Sequence, residues 1–467
     1  MFKQKINNLN FFNLPTYKKI NYINFSLAAL FLFFISFNQK ILPPLIVLWI
    51  LSFIVEIIFI KKEKTELSKK EIFLLLTPVL FFLSNAIGFF YSDNKTASFL
   101  NIQTTLSLFI FPLIFIFSNN LYKKHGKILL TAFVAGNIIS AIICLLSAFN
   151  DSFKTIDGRV IFDTVVYPEF THESFFTQIN LRVSEFSYMY LSRFMHPSYY
   201  AMYLNTVIVI LYYFYRQTSN KIVKTFYITG IVFFYFIIYL LASRAGLISL
   251  FFLLISLTII EIRLNKHYIL VLLFSFTLSF GLYKAMSQGQ IKTNIAQVQQ
   301  KIEEFKTNEK ENLAEINENL TAINKKHAEI NKNTAARFII WECALQAIKD
   351  NVVFGVGNGD MRNTMCEKYV ENDYNDGLKL KLDPHNQFLA TMLSGGIFSL
   401  LSLLLMLGWG FLYSIKTRKC IFSFFIAIFS FNILVESMLT TISGVAFFAF
   451  FFSFLIVYSP TVFKKTN

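Results

Sequence analysis

Apolar positions in this chain are gathered into long unbroken runs. A helix that spans a bilayer needs about 20 mostly apolar residues. Runs of that length without Lys, Arg or Asp begin near residues 20, 41, 72, 97, 128, 197, 223, 245, 268, 386, 421 and 440. Strands of membrane barrels are shorter and alternate apolar with polar positions, which these runs do not. The pattern predicts an all-α polytopic membrane protein with about 12 transmembrane helices.

The runs and the polar stretches between them divide the chain into five segments. The first apolar run is followed directly by a second, with no small-residue cleavage site, so we interpret it as a retained span. The predicted segments are 1–149 with helices 1 to 5, a first extracytoplasmic loop at 150–196, 197–286 with helices 6 to 9, a large extracytoplasmic loop at 287–384, and 385–467 with helices 10 to 12.

The large loop has its own helical pattern. Apolar residues at 291, 295, 298, 302 and 305 keep a four-three spacing, which resumes one residue out of phase at Leu313. The spacing predicts a helical hairpin broken near Thr307, or one coiled-coil helix with a stutter. A solvated charged face explains its charge run, and partner binding is the alternative. A short apolar-periodic helix is expected from Ala336 to about Asp350.

Composition agrees with the membrane assignment, and charge adds an orientation. The chain is 55% hydrophobic and only 15% charged, with a net charge of +15. Its Lys and Arg residues are not gathered into one basic soluble domain, so nucleic acid is not an expected partner. They lie instead in alternate connections between spans, and the positive-inside rule then assigns those connections to the cytoplasm. We expect a multi-pass bacterial inner-membrane protein with both termini cytoplasmic and its active site on the periplasmic face.

The four cysteines do not indicate a metal site, because none has Cys-x-x-Cys spacing. Cys144 and Cys420 lie in or beside apolar spans, where burial explains them. Cys343 and Cys366 both fall in the large outward loop. An oxidising periplasm permits a disulfide between them, and two free thiols are the alternative.

Three residues at the outward ends of predicted helices are candidates for chemistry. Arg244 occupies a very short outward turn, where it either extends to lipid headgroups or binds a lipid-linked pyrophosphate. His196 precedes Pro197 at a helix start and needs no chemical role there. His385 lies between Pro384 and Asn386 at another helix start. We expect the helix dipole to keep its imidazole neutral, as a general base requires, although a purely structural role is also open.

The stretch Gly355-Val-Gly357-Asn-Gly359 is not a convincing nucleotide site, since no βαβ unit precedes it. The glycines are better explained by a tight turn and close backbone approach to a neighbouring helix or a ligand.

Four motifs in a fixed order resemble the O-antigen ligase and polymerase superfamily. They are Ser243-Arg244-Ala-Gly246, Arg337-Phe-Ile-Ile-Trp341, the glycine-rich stretch, and His385-Asn386 before a helix, and the resemblance covers about 225–405. The ligase pattern continues from the histidine with two glycines. Asn386 and Gly396 fit that pattern, whereas Ser399 stands where its second glycine belongs.

The resemblance implies a metal-independent glycosyltransferase of lipopolysaccharide or surface polysaccharide biosynthesis, with no cofactor. Its donor would be an undecaprenyl-diphosphate-linked glycan, and its acceptor a hydroxyl of lipid A core, of a glycan or of a protein. By position, His385 would be the catalytic base, and Arg244 and Arg337 would bind the diphosphate. The candidate supporting residues are Asn386, His196, Arg193, Gly357 and Glu436.

Within this enzyme class, an O-antigen ligase, a capsular or O-antigen polymerase and a protein O-oligosaccharyltransferase stay open. A lipid-linked-oligosaccharide flippase is the alternative from another class, because such transporters also have about twelve spans. Transporters usually hold ionisable residues near the membrane midplane, and the spans here contain few. Glu56 and Glu436 lie near span ends, where they either anchor the helix at the interface or act in function.

Overall fold

A computed structural model describes residues 15–59, 66–118, 120–156, 158–167, 170–264 and 337–458. The ninth predicted span and the predicted helical hairpin lie outside these residues. The described helices, in chain order, are α1 (Thr16–Phe34), α2 (Leu42–Phe59), α3 (Lys69–Ala86), α4 (Gly88–Tyr91), α5 (Lys95–Thr105), α6 (Ser107–Phe117), α7 (Leu121–Asp151), α8 (Phe175–Leu181), α9 (Tyr188–Leu191), α10 (Pro197–Gln217), α11 (Lys221–Leu240), α12 (Arg244–Leu264), α13 (337–350), α14 (Met361–Glu371), α15 (Asn375–Leu380), α16 (Gln387–Lys416), α17 (Cys420–Ile433) and α18 (Ile442–Val457).

The described part of the chain is mostly helical, as predicted. Six of its helical stretches are long and apolar enough to cross a membrane. They are Gln39–Ile58, Lys69–Tyr91, Lys95–Phe117, Leu121–Asp151, Lys221–Leu240 and Gln387–Lys416. Three further apolar helices are shorter, at Arg244–Leu257, Cys420–Ile433 and Ile442–Val457. The apolar helices indicate a membrane protein, and the count of about 12 crossings stays a prediction.

The centre of the bundle is α18, in which every residue from Ser443 to Val457 is buried. Its phenylalanines pack against aromatic rings from several helices, and Phe447 stacks on Tyr203 of α10 at 4.2 Å between ring centroids. Helices at the periphery of the bundle instead have exposed apolar side chains. On α11, Ile222 is 82% exposed and Phe226 is 68% exposed. Apolar side chains on that outer surface are what lipid would cover, since water would not favour them.

Residues 150–196, called the first outward segment after their predicted topology, contain short elements that the sequence did not predict. Strands β1 (Phe153–Ile156) and β2 (Arg159–Phe162) form an antiparallel hairpin in which Phe153 pairs with Phe162. Helices α8 and α9 follow before the chain enters α10. The two strands are a small exception to the all-α class.

Residues 337–386 form a compact unit with its own core at one end of the bundle. Ile340, Cys343 and Ala344 of α13 pack with Met365 and Tyr369 of α14 in a hydrophobic cluster. Helix α13 spans 337–350 in the described residues, in agreement with the helix predicted there. Cys343 and Cys366 are both free thiols.

The glycine-rich stretch joins this unit to the membrane helices. Gly355 and Gly357 have positive φ of 69° and 97°, which favours glycine. The Gly357 amide donates to the Ser394 carbonyl in α16 at 3.0 Å. The Asp360 carboxylate accepts from the amides of Asp93 and Asn94, at 2.7 and 2.9 Å. These contacts support the second interpretation of the glycines, close approach to a neighbouring helix.

Candidate active site

His385 lies on the segment between α15 and α16, in a constrained backbone conformation. Its φ is +45°, a left-handed value that side chains other than glycine rarely adopt. Its amide donates to Asp383 Oδ1 at 3.1 Å. The next residue, Asn386, is the N-cap of α16, and its Oδ1 accepts from the amides of Phe388 and Leu389 at 2.9 and 3.3 Å. The imidazole is therefore positioned by a cap on one side and a carboxylate on the other.

Glu436 connects His385 to Arg337. Its Oε2 lies 3.2 Å from His385 Nδ1, and its Oε1 lies 3.4 Å from Arg337 Nη2. Asp383 Oδ1 is also close to His385 Nδ1, at 3.3 Å. A carboxylate only accepts hydrogen bonds, so Nδ1 must carry the hydrogen and Nε2 of a neutral ring keeps its lone pair.

Two further hydrogen bonds hold the elements of this cluster together. Trp341 lies one helical turn after Arg337 in α13, and its Nε1 donates to the Pro384 carbonyl at 3.0 Å. Gln387 Oε1, at the start of α16, accepts from the Leu439 amide at 2.7 Å. Leu439 lies in the 3-10 turn Met438–Thr440, just after Glu436. Residues from three distant parts of the sequence are thus held in one place.

The pKa of His385 differs from the sequence-based expectation. Burial lowers the pKa of this imidazole, but the hydrogen bond to Glu436 and the charges of Asp383 and Glu436 outweigh burial and leave the pKa raised. The expectation that the helix dipole keeps the ring from protonation was wrong. Burial raises the pKa of Glu436, yet the hydrogen bond and charges of His385, with His196 and Arg337, leave it lowered, so this carboxyl is ionised.

His196 faces the same cluster from the first outward segment. Its Nδ1 accepts from the Ser198 amide at 3.3 Å, which makes it the N-cap of α10. Its Nε2 lies 3.5 Å from the Tyr188 hydroxyl. Burial lowers the pKa of His196; the Glu436 charge opposes burial, and the His385, Arg182 and Arg337 charges add to it. His196 is therefore a neutral ring beside the charged groups.

Arg244 is the first residue of α12, and Arg182 approaches it from the first outward segment. Arg182 Nη2 donates to the carbonyl of Ala242 at 2.7 Å. Burial lowers the pKa of Arg182, Tyr188 raises it, and the positive charges of Arg244 and Arg337 lower it further. Arg182 was missed in the sequence, where it is one of several arginines in the first loop and belongs to no motif.

The structure places the other two predicted supporting residues elsewhere. Arg193 is ion-paired with Asp151 and, at 3.5 Å, with Glu185, both outside the His385 contacts described above. Gly357 packs against Ser92, and a Cβ atom at this position would collide with that side chain. Neither contact involves His385 or Glu436. Among the described residues, no group of three or more His, Cys, Asp or Glu side chains could hold a metal ion.

Comparison with known proteins identifies part of the chain. A family model described as O-antigen ligase matches residues 228–404 and confirms the superfamily predicted from the motifs. The matched segment contains Arg244, Arg337 and His385, whereas Glu436 and the first outward segment lie outside it. No curated protein matches the chain.

Proposed function

We propose that this protein, whose residues 228–404 match the family model described as O-antigen ligase, is an extracytoplasmic glycosyltransferase of the inner membrane. It moves a glycan from undecaprenyl diphosphate to a hydroxyl of lipid A core. The observation that carries the proposal is the contact of one carboxylate, Glu436, with both His385 and Arg337. A candidate base and a candidate phosphate ligand are thereby held side by side.

His385 is the general base in this proposal. With Nδ1–H directed at Glu436, the Nε2 lone pair accepts the proton of the acceptor hydroxyl. The acceptor oxygen forms a bond to the anomeric carbon as the bond from that carbon to the diphosphate oxygen breaks. Undecaprenyl diphosphate leaves with the bonding electrons. Glu436 stabilises the imidazolium and keeps the ring in the correct tautomer, as the acid does in a serine protease triad.

Arg337 and Arg244 stabilise the diphosphate as it gains charge. A guanidinium matches two phosphate oxygens in a planar fork, and it stays protonated when partly buried. Arg337 contacts Glu436 through one guanidinium nitrogen, which leaves further N–H donors for phosphate. Arg244 begins α12, where the helix N-terminus also favours an anion. Arginines in a site with little water can do this without a metal ion.

The grouping of the helix connections at the two ends of the bundle supports an active site on the outer face. His385, Glu436 and Arg182 lie at the same end as the turn before Arg244, while Lys419 and Glu71 meet near the end of α18, at 3.3 Å. The second end carries the basic connections that the positive-inside rule assigns to the cytoplasm. A donor on the outer leaflet arrives already activated, so no sugar nucleotide is required.

Deletion of the gene in its own host tests the proposal, with the glycolipids resolved by gel. Loss of polymer from lipid A, with donor accumulating on the outer leaflet, is the expected result. Single-repeat caps on lipid A would indicate a polymerase instead, and an unglycosylated protein would indicate a protein O-oligosaccharyltransferase. Donor retained on the inner leaflet would overturn the enzyme assignment in favour of transport.

The orientation is tested with single cysteines on a cysteine-free background. A cysteine at Glu173, in the first outward segment, should react with an impermeant thiol reagent in intact spheroplasts. One at Ser219, in the short connection between α10 and α11, should react only after lysis. The reverse pattern would place His385 on the cytoplasmic face and remove the proposed reaction.

A further inference from the structure

Arg182 is held in an unusual position for a loop arginine. It follows α8 directly and has a left-handed φ of 60°. Its guanidinium lies over the Tyr188 ring, 4.2 Å from the centroid, while Nη2 donates to the Ala242 carbonyl at 2.7 Å. Tyr188 itself has a left-handed φ of 48°. Two uncommon backbone conformations therefore direct one planar cation toward the turn that precedes Arg244.

The bonding of Arg182 is incomplete. Within the part of the chain that the structure describes, no carboxylate lies within ion-pair distance of its guanidinium. Its Nε is buried and has no hydrogen-bond partner there. Two other cations, Arg244 and Arg337, are near enough for their charges to lower its pKa. Burying a guanidinium without an anion is unfavourable, and gathering further arginines around it adds repulsion.

Arg193 shows how the same loop treats an arginine that has only a structural task. Its guanidinium pairs with two carboxylates, Asp151 and Glu185. Arg182 instead packs on an aromatic face and donates to one backbone carbonyl. The first outward segment has acidic residues available, so the lack of one beside Arg182 is informative. It indicates that the anion for Arg182 comes from a ligand.

On the basis of the proposed function, we propose that Arg182 is a third phosphate-binding arginine, which the first outward segment supplies to the lipid diphosphate. Its hydrogen bond to Ala242 places it next to Ser243 and Arg244 at the N-terminus of α12. A diphosphate has two phosphoryl groups, and three guanidinium groups can bind both of them with paired hydrogen bonds. The donor site then joins two parts of the chain, only one of which lies in the segment matched by the family model.

Binding of undecaprenyl diphosphate without a glycan tests this role, with the full-length protein in lipid nanodiscs. Arg182→Gln removes the charge but keeps an N–H group that can donate toward Ala242. We expect it to raise the Kd of the probe about tenfold or more, because a hydrogen bond to a charged group is lost. Arg182→Lys should recover part of that loss. Arg159→Gln, an exposed arginine of β2 in the same loop, is the matched control and should bind as wild type.

The outcomes separate Arg182 from the proposed function. If Arg182→Gln binds the probe as wild type while Arg337→Ala loses binding, the role of Arg182 is overturned and the proposed function stands. If none of the arginine variants affects binding, the lipid-diphosphate donor itself is wrong. A thermal unfolding midpoint equal to wild type, with weaker binding, identifies a ligand contact. An equally lowered midpoint in Arg182→Gln and Arg182→Lys, with unchanged Kd, would show that Arg182 only supports the Ala242 turn.

Discussion

The two ends of the helical bundle both hold a cation beside a carboxylate, but only one end leaves hydrogen-bonding capacity for a substrate. At the end predicted to be cytoplasmic, called the inner end, Lys419 Nζ contacts Glu71 at 3.3 Å and the Ile456 carbonyl at 2.5 Å. Glu71 also accepts from the Tyr413 hydroxyl at 2.9 Å and forms a capping box with Ser68. Each of these polar groups has protein partners, so the arrangement locks α3, α17 and α18 together.

The end that holds His385, predicted to be periplasmic and called the outer end, is arranged differently. Glu436 holds His385 by Nδ1 and Arg337 by one nitrogen, which leaves Nε2 and other guanidinium donors unused by these contacts. The comparison teaches that an ion pair by itself does not mark a site. A functional site is indicated by an ion pair that positions reactive atoms and leaves part of their hydrogen-bonding capacity unused by the pair.

The largest effect is expected from His385→Ala. Loss of a positioned general base lowers the rate by about 10² to 10⁴, while binding of the donor stays near wild type. Transfer is measured with membranes that contain equal amounts of protein. His172→Ala, an exposed histidine of the first outward segment, should retain full activity. A stably expressed His385→Ala variant with normal transfer would end the proposed role of His385.

Glu436→Gln should have a smaller effect, a loss of about tenfold to a hundredfold, since it removes one charge-assisted hydrogen bond. It should also move the pH profile of kcat/KM. Protonated His385 cannot act as a base, so activity falls as pH drops through its raised pKa. Without the carboxylate, that pKa drops and the acid limb moves to lower pH. Glu371→Gln, an exposed carboxylate of α14, should leave the limb in place; an unmoved limb in Glu436→Gln would contradict the His385–Glu436 pair.

Arg337→Lys keeps the charge but loses the planar fork, so we expect a loss of about tenfold in kcat/KM for the donor. Arg362→Lys, at an exposed position of α14, is the control and should have the same kcat/KM as wild type. Equal activity of the two variants would mean that Arg337 meets phosphate only as a point charge, or not at all. Full activity in both Arg244→Ala and Arg337→Ala would remove these arginines from the mechanism.

At the inner end, Lys419→Ala should leave kcat/KM unchanged and lower stability. Lys419 is 6% exposed and Glu71 is 20% exposed, so removing the cation leaves a mostly buried carboxylate unpaired. We expect a loss of about 1 to 3 kcal/mol in unfolding free energy, measured as a lower thermal midpoint in detergent. Lys416→Ala, an exposed neighbour, should change neither quantity. A large catalytic defect in Lys419→Ala would break the distinction between the two ends.

Helix α16 shows which structural features short sequence patterns can predict and which they cannot. Its start was predicted from Pro384 and Asn386, and Asn386 caps it. Its break was not predicted. Gly396 has a φ of 65° inside the helix, where it meets the backbone of Val353. The glycine itself was visible in the sequence as part of a motif, but the element it contacts lies in another segment, so the kink could not be derived from the helix alone.

The sequence by itself determined the apolar helices, the predicted division of charge between the two ends, and three candidate residues in ordered motifs. Each of these depends on residues close together in the chain: the length of an apolar run, the basic residues beside it, the proline or asparagine at its start. The tertiary structure decided which residues meet. Glu436 is 51 positions from His385, and Arg182 is 60 positions from Ala242. Helices that are apolar on all sides carry no periodic mark of which face packs inward, so these contacts and the raised pKa of His385 follow only from the packing.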